Sequence, residues 1–416
     1  MSAGDISAPA CETFIMPARQ PHRALVLAGL TLTLAYLAML GGTFLKGEFL
    51  HDGRGRPIAN DFVNVVAAGR LALQGDAASA YDTVLQKAAE TAAVGHDFTG
   101  FYGWPYPPTF LFVGAALATL PYMAAMLLWL GATFSLYGAT IVAILGGQLG
   151  RCGALFAAAG FPAVLWNVTA GQNGFLTAAL VGGTLCLLER RPVLAGVCLG
   201  LLTYKPQFGL LFPLLLLIER RWPTIMAATV VALAAATLSW LVFGSASWAA
   251  FAHWIPLTSR IVLGDGEGDW AKLQSLFGFV RAHGGSAQFA WTVQAAGSIA
   301  IAAALAWLWK SRCPFDLKAA ALAAGTLVAT PYVYMYDLVV LAVAAAFLLR
   351  FALARGLFAS EAFGLATASL LILSFPYVKT QVGLAAVAII LALVARRVAV
   401  AMSSTARLPA FHVASQ

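Results

Sequence analysis

Residues 24–45 read ALVLAGLTLTLAYLAMLGGTFL, twenty-two positions without a charge. A helix needs about 20 such residues to cross the hydrocarbon core of a bilayer. The run is too long for a signal-peptide core and has no obvious cleavage site, so it is expected to stay as the first helix. Arg19 and Arg23 stand just before it, and Lys46 opens the polar stretch after it. Basic residues collect on the cytoplasmic side of membrane proteins, which places the N-terminus inside and the stretch from Lys46 outside.

The rest of the chain agrees with this start. Of its 416 residues 61% are hydrophobic and 10% charged, against roughly 25% charged in soluble domains. The expected fold class is all-α, a polytopic integral membrane protein. The net charge of +8 does not indicate nucleic acid. The basic residues sit as small clusters at the ends of apolar runs, and no nucleic-acid-binding motif is present. Cys11, Cys152, Cys186, Cys198 and Cys313 have no metal or redox spacing; Cys186, Cys198 and Cys152 fall in or beside apolar runs, where packing is the default reading.

Apolar runs follow near 109–145, 154–169, 175–188, 193–203, 208–218, 224–243, 291–309, 319–329, 338–349, 363–375 and 382–395, the first of them broken at Leu120-Pro121. Positive clusters fall at Arg190-Arg191, Arg220-Arg221, Lys310/Arg312/Lys318, Arg350/Arg355 and Arg396-Arg397. All are cytoplasmic together if the segments between them form pairs. Between Arg191 and Arg220 lie 28 residues, too few for two full crossings. Two half-helices meeting at Tyr204-Lys205-Pro206-Gln207 solve this. Gly171–Gly174, Thr330-Pro331-Tyr332 and Pro376–Lys379 then become outer turns. Two full crossings between Thr109 and Arg151 would put Arg151 outside, so one of those pieces is expected to be short or re-entrant. The organisation expected is a polar tail (1–23), one membrane domain (24–400) with polar loops at 46–108 and 244–290, and a second polar tail (401–416). No internal repeat of the transporter kind is visible.

Seven of the 17 acidic residues lie between Lys46 and Pro108: Glu48, Asp52, Asp61, Asp76, Asp82, Glu90 and Asp97. Asp61 opens a helix-like run, Phe62–Leu73, with Val63, Val66, Ala67 and Leu71 on roughly one face. Such a helix is expected to lie along the membrane surface. Asp61 is therefore a candidate catalytic carboxylate. The alternative is that Asn60 caps the helix and Asp61 merely complements its dipole. A second helical piece is expected near Tyr81–Val94.

Lys205 is an ionisable residue inside a broken apolar run, which by default marks a functional site. It is suited to neutralise a phosphate as a point charge; the alternative is snorkelling to the surface. Gln172 and Asn173, between two glycines at a helix break, offer amides for sugar hydroxyls or phosphate, or form a plain turn. Asp337 follows Tyr332, Tyr334 and Tyr336, rings that suit sugar stacking or an interfacial belt. Asp265-Gly-Glu267-Gly-Asp269 lacks the later Glu of a calcium loop and reads as a solvated loop. His51-Asp52 is a weak metal or acid–base pair. No nucleotide-binding, zinc-protease or serine-hydrolase motif is present.

Taken in order, Asp61-Phe62, Ala68-Gly69-Arg70, Tyr81-Asp82, Tyr106-Pro107-Pro108, Gly171-Gln172-Asn173, Lys205-Pro206-Gln207, Arg220-Arg221-Trp222 and Tyr334 through Asp337-Leu338 resemble the GT-C glycosyltransferases that use polyprenyl-phosphate sugars. Within these the chain looks like bacterial family 87, which includes polyprenol-phosphate-mannose-dependent mannosyltransferases. The resemblance implies a GT-C-like bundle of about 11–13 transmembrane or re-entrant helices, with surface helices in an extracytoplasmic first loop. It implies inverting transfer of a hexose to a lipid or glycan acceptor, with Asp61 as base and no cofactor. Many GT-C enzymes carry an Asp-x-Asp pair in this loop; here Val63 follows Phe62, so no metal is implied. Asn64 stands where an aromatic is more usual, which leaves the acceptor open. Lys205, Gln172, Asn173, Tyr106, Gln207, Tyr334 and Asp337 become the substrate-binding candidates. The setting implied is the bacterial inner membrane, with the site on its outer face. The competing class is a transporter or flippase of lipid-linked sugars or small solutes, because broken helices with an embedded lysine occur there too.

Overall fold

A computed structural model describes residues 19–266 and 269–406. In chain order the helices are α1 (Arg19–Leu45), α2 (Val63–Leu73), α3 (Thr83–Val94), α4 (Leu111–Ala118), α5 (Tyr122–Ala159), α6 (Ala163–Ala170), α7 (Gly174–Leu187) and α8 (Pro192–Leu201). They continue as α9 (Phe212–Ile218), α10 (Trp222–Ser259), α11 (Leu276–Ala282), α12 (Ala287–Lys310), α13 (Phe315–Val328), α14 (Val339–Arg355), α15 (Ala359–Val378) and α16 (Val382–Ala406). Among the described residues there is no strand, and seven helices are long and apolar enough to cross a membrane. The protein is an all-helical polytopic membrane protein.

The hub is α14. Every residue from Val339 to Leu349 is buried, and α5, α7, α13 and α16 pack around it. Its sequence, VVLAVAAAFLL, alternates small and large side chains, which lets neighbouring backbones approach closely where packing rather than hydrophobicity drives association. The two half-helices are present as α8 and α9. Between them run two 3-10 turns, Leu202–Tyr204 and Pro206–Phe208, with Lys205 at their junction. Proline at 206 cannot continue the helical ladder, and the backbone breaks there. The expected short piece before Arg151 is α4, with eight residues.

The helix after Asp61 is packed into the protein: Val63 through Gly69 are all buried. Gly69 faces α4 so closely that a Cβ there would fall 2.0 Å from the Gly114 carbonyl oxygen. That approach gives α2 a second buried face which its amphipathic pattern does not show.

The second polar loop is largely helical. After a break at Gly244 (φ 77°), α10 resumes and runs to Ser259, and a π-turn continues to Asp265. The cause is a tertiary partner. Phe251 packs on Tyr81 and Trp254 on Phe101, with ring centroids 5.7 and 6.5 Å apart, so this half of α10 roofs the first loop.

The outer turn expected at Pro376 comes later, because α15 runs through Pro376 and stops at Lys379 in the left-handed region (φ 46°). Among the described residues α1 begins at Arg19 and α16 reaches Ala406. The remaining tail residues, with Cys11, and Glu267 of the acidic loop lie outside the described residues.

Candidate active site

The segment before α2 turns sharply at Asn60. The Asn60 Oδ1 accepts from the Phe62 amide at 3.1 Å and from Tyr122 Oη at 3.2 Å. This local turn occupies the asparagine that a capping role would use. Asp61 is left projecting from the turn. Its Oδ2 accepts from Gln172 Nε2 at 3.0 Å, and no cation lies within ion-pair distance among the described residues. Burial pushes its carboxyl above the usual carboxylate range. The Gln172 hydrogen bond and the charges of Lys272 and Lys205 act the other way.

Gln172 reaches Asp61 because of Gly171. That residue closes α6 in the left-handed region (φ 68°), and a Cβ on it would fall 2.8 Å from Phe62 Cβ. Only glycine fits both demands. The other end of the Gln172 amide, Oε1, accepts from Tyr106 Oη at 3.1 Å and from the Asn173 amide at 3.3 Å. Tyr106 is itself buried among Trp104, Phe110 and Tyr204, and its carbonyl accepts from Tyr81 Oη at 2.9 Å. The Asn173 carbonyl accepts from Tyr204 Oη, while its Oδ1 is buried with no hydrogen bond.

The second half of the site adjoins at the start of α7. A Cβ on Gly174 would fall 2.2 Å from the Tyr336 carbonyl oxygen. The turn carrying Gln172 and Asn173 therefore rests directly on the turn Met335–Leu338. Asp337 in that turn accepts from the Tyr334 amide through Oδ2 and meets Lys205 Nζ through Oδ1 at 2.8 Å. Lys205 and Asp337 are 6% and 2% exposed. Snorkelling of Lys205 is thus overturned: its charge is held inside the protein by Asp337. Tyr336 flanks the pair, its ring centroid 5.3 Å from Lys205 Nζ and stacked with Tyr334 at 5.5 Å.

Asp61, Tyr106, Gln172 and Asn173 thus form one hydrogen-bonded unit. Lys205, Tyr334 and Asp337 form a second, joined to it through Gly174. Gln207 is half-buried in the turn after Lys205 and makes no side-chain hydrogen bond among the described residues. The His51-Asp52 pair is not a site: Asp52 binds Arg56 at 2.6 Å and caps the Arg54 and Arg56 amides.

Two residues near the site were not singled out from the sequence. Lys272, in the second loop, acts on the Asp61 charge, and nothing in its neighbourhood of sequence marks it. Glu90 is fully buried on α3 and accepts from the Tyr102 amide. Burial raises its carboxyl to about 7, against the pull of that bond. Gln86 and Glu90, four apart on α3, both face inward. That spacing is a signal, but on an otherwise polar helix it reads as a solvated face.

A sequence model of glycosyltransferase family 87 matches residues 104–331. No curated protein and no solved structure matches the chain.

Proposed function

The chain belongs to glycosyltransferase family 87, and from that premise we propose that it moves a hexose, mannose by family resemblance, from a polyprenyl-phosphate donor to a lipid or glycan acceptor. The transfer inverts the anomeric carbon, and Asp61 is the general base. As a glycosyltransferase the protein is an enzyme, which displaces the transporter reading.

One observation carries the assignment of the base. Asp337 is bound by Lys205, whereas Asp61 is half-buried, unpaired by any cation among the described residues and oriented by a single neutral amide. A carboxylate so placed is free to take a proton, and its raised pKa brings its basicity nearer the operating pH. Inversion needs one displacement. The acceptor oxygen bonds to the anomeric carbon as the bond to the donor phosphate breaks, and the hydroxyl proton passes to Asp61. The sugar carries oxocarbenium character in between, as in glycoside hydrolysis. Gln172, Asn173 and Tyr106 supply the amide and phenol groups that sugar hydroxyls bind, and the Tyr334 and Tyr336 rings offer a stacking face.

A lipid-linked donor is supported by the surface beside Lys205. An apolar groove of about 420 Å³ is lined by Leu199, Leu202, Pro206, Leu210 and Leu217 together with Ala228 of α10. It flanks the break between α8 and α9, where an isoprenoid chain can lie with its phosphate at the turn. We place loop 46–108 on the outer face of a bacterial inner membrane, with 1–23 and 401–416 inside and 24–400 as one membrane domain. The test is an assay of membranes with radiolabelled polyprenyl-phosphate hexoses, reading which lipid or glycan takes up label. Label that enters only from nucleotide sugars would overturn the donor class.

A further inference from the structure

Lys205 comes to the site with its charge already met. Its ammonium is 2.8 Å from Asp337 Oδ1, and both side chains are buried. A phosphate arriving beside this pair gains no net positive charge from it. Yet the phosphate leaves with an added negative charge, and a site that has shed its water must answer that charge with its own groups.

The second loop supplies one. Lys272 ends the 3-10 turn Trp270–Lys272, is exposed, and its ammonium makes no hydrogen bond or ion pair among the described residues. Of the two lysines that act on the Asp61 charge, Lys272 acts the more strongly. Its backbone is held while its head is free. Asp269 caps the turn through the Ala271 amide, and Gln381 Nε2 donates to the Trp270 carbonyl at 3.0 Å. Gln274 donates its amide to Val333 at 2.6 Å and accepts from the Gly383 amide at 2.8 Å. Val333 leads into Tyr334 and Asp337, so Lys272 is tied to the segment that holds Lys205. Two basic groups of these loops are engaged: Arg281 donates to the Gly264 and Gly285 carbonyls, and Lys87 to those of Phe98 and Gly100.

We propose that Lys272 binds the donor's phosphate and supplies the uncompensated positive charge at the site, while Lys205 holds Asp337 and its turn in place. The inference rests on the lipid-phosphate donor proposed above. When the sugar leaves, the electron pair of the broken carbon–oxygen bond stays on the phosphate oxygen. Lys272 faces the charge that develops there, and the acceptor's proton goes to Asp61.

The test uses the full-length protein in lipid nanodiscs, titrated with farnesyl phosphate and separately with farnesol. Lys272→Met is expected to weaken farnesyl phosphate roughly ten- to hundredfold, the range for losing a charge-assisted hydrogen bond. It should also flatten the salt dependence and leave farnesol unchanged. Lys272→Arg should keep most of the affinity. A Lys272→Met protein that binds farnesyl phosphate within about twofold of wild type, as loss of a solvated surface charge would allow, overturns the assignment. Wild-type protein that does not prefer farnesyl phosphate to farnesol overturns the donor reading as well. The two failures are told apart because only the second shows in the unmutated chain.

Discussion

Gln172 presents its Nε2 to Asp61 at 3.0 Å and its Oε1 to Tyr106 Oη at 3.1 Å. A reversed amide would set its oxygen against the carboxylate, so the ionised form of Asp61 fixes the way Gln172 points. Asp61 and the Gln172 amide are therefore one device.

Asp61→Asn keeps an oxygen for Gln172 but cannot take a proton. Turnover is expected to fall roughly 10²–10⁴-fold, the usual loss for a positioned base, with the thermal midpoint close to wild type. Initial rates on purified protein decide this. Transfer within a few-fold of wild type removes Asp61 as the base.

Lys205→Met leaves Asp337 buried without its partner. Breaking a buried pair from one side costs about 3–5 kcal/mol. The double variant Lys205→Met/Asp337→Leu should recover most of that stability, since no unpaired charge remains. Unfolding in detergent measures all three proteins. Equal loss in single and double variants would show that the pair is not what holds the turn.

Glu90 gives the stability a pH slope. Its pKa is raised from 4.5 to about 7 in the fold, so between those values the unfolded chain releases a proton that the folded chain keeps. Stability is then fully present below the lower value and declines as pH rises toward the upper one. Glu90→Gln should remove that decline while keeping an acceptor for Tyr102. Thermal midpoints across this window test it, and parallel curves for the two proteins would refute it.

Gly174→Ala sets a methyl group against the Tyr336 carbonyl, a backbone atom 2.2 Å away. Overpacking of this kind costs about 1–3 kcal/mol. It should also slow transfer, because Gly174 joins the two halves of the site. Gly41→Ala, with nothing within 4 Å, is the control. Wild-type transfer in Gly174→Ala would separate the halves functionally.

Topology is tested by a membrane-impermeant maleimide on intact cells. Gln74→Cys in the first loop should be labelled, and Arg190→Cys in the basic cluster should not. The opposite pattern would invert the orientation.

The membrane fold was legible because charge is costly in lipid and therefore shows in sequence. The spacing of Arg191 and Arg220 was enough to anticipate α8 and α9. What stayed hidden depended on partners far along the chain. The helical roof over the first loop exists because Phe251 and Trp254 find Tyr81 and Phe101. The burial of α2 depends on the meeting of Gly69 with Gly114. Asp61, Gln172, Lys205 and Asp337 were each visible as polar residues in greasy or broken surroundings. Their pairing was not, since no local pattern says that Lys205 meets Asp337 rather than Asp61. The family match covers Gln172 and Lys205 but neither Asp61 nor Asp337, and only the fold joins the two sets.

The closures around the site span 66 residues from Tyr106 to Gln172, 111 from Asp61 to Gln172, and 132 from Lys205 to Asp337. Synthesis runs from the N-terminus, so Asp61 waits for its amide until the turn bearing Gln172 has emerged, and Lys205 for its counter-ion until the segment bearing Asp337 has emerged. Until then Asp61 is an ordinary wet carboxylate, and Lys205 is a bare charge at a helix break. The enzyme is mute while it is being made. A truncated or half-inserted chain can carry the right residues and still have no working centre.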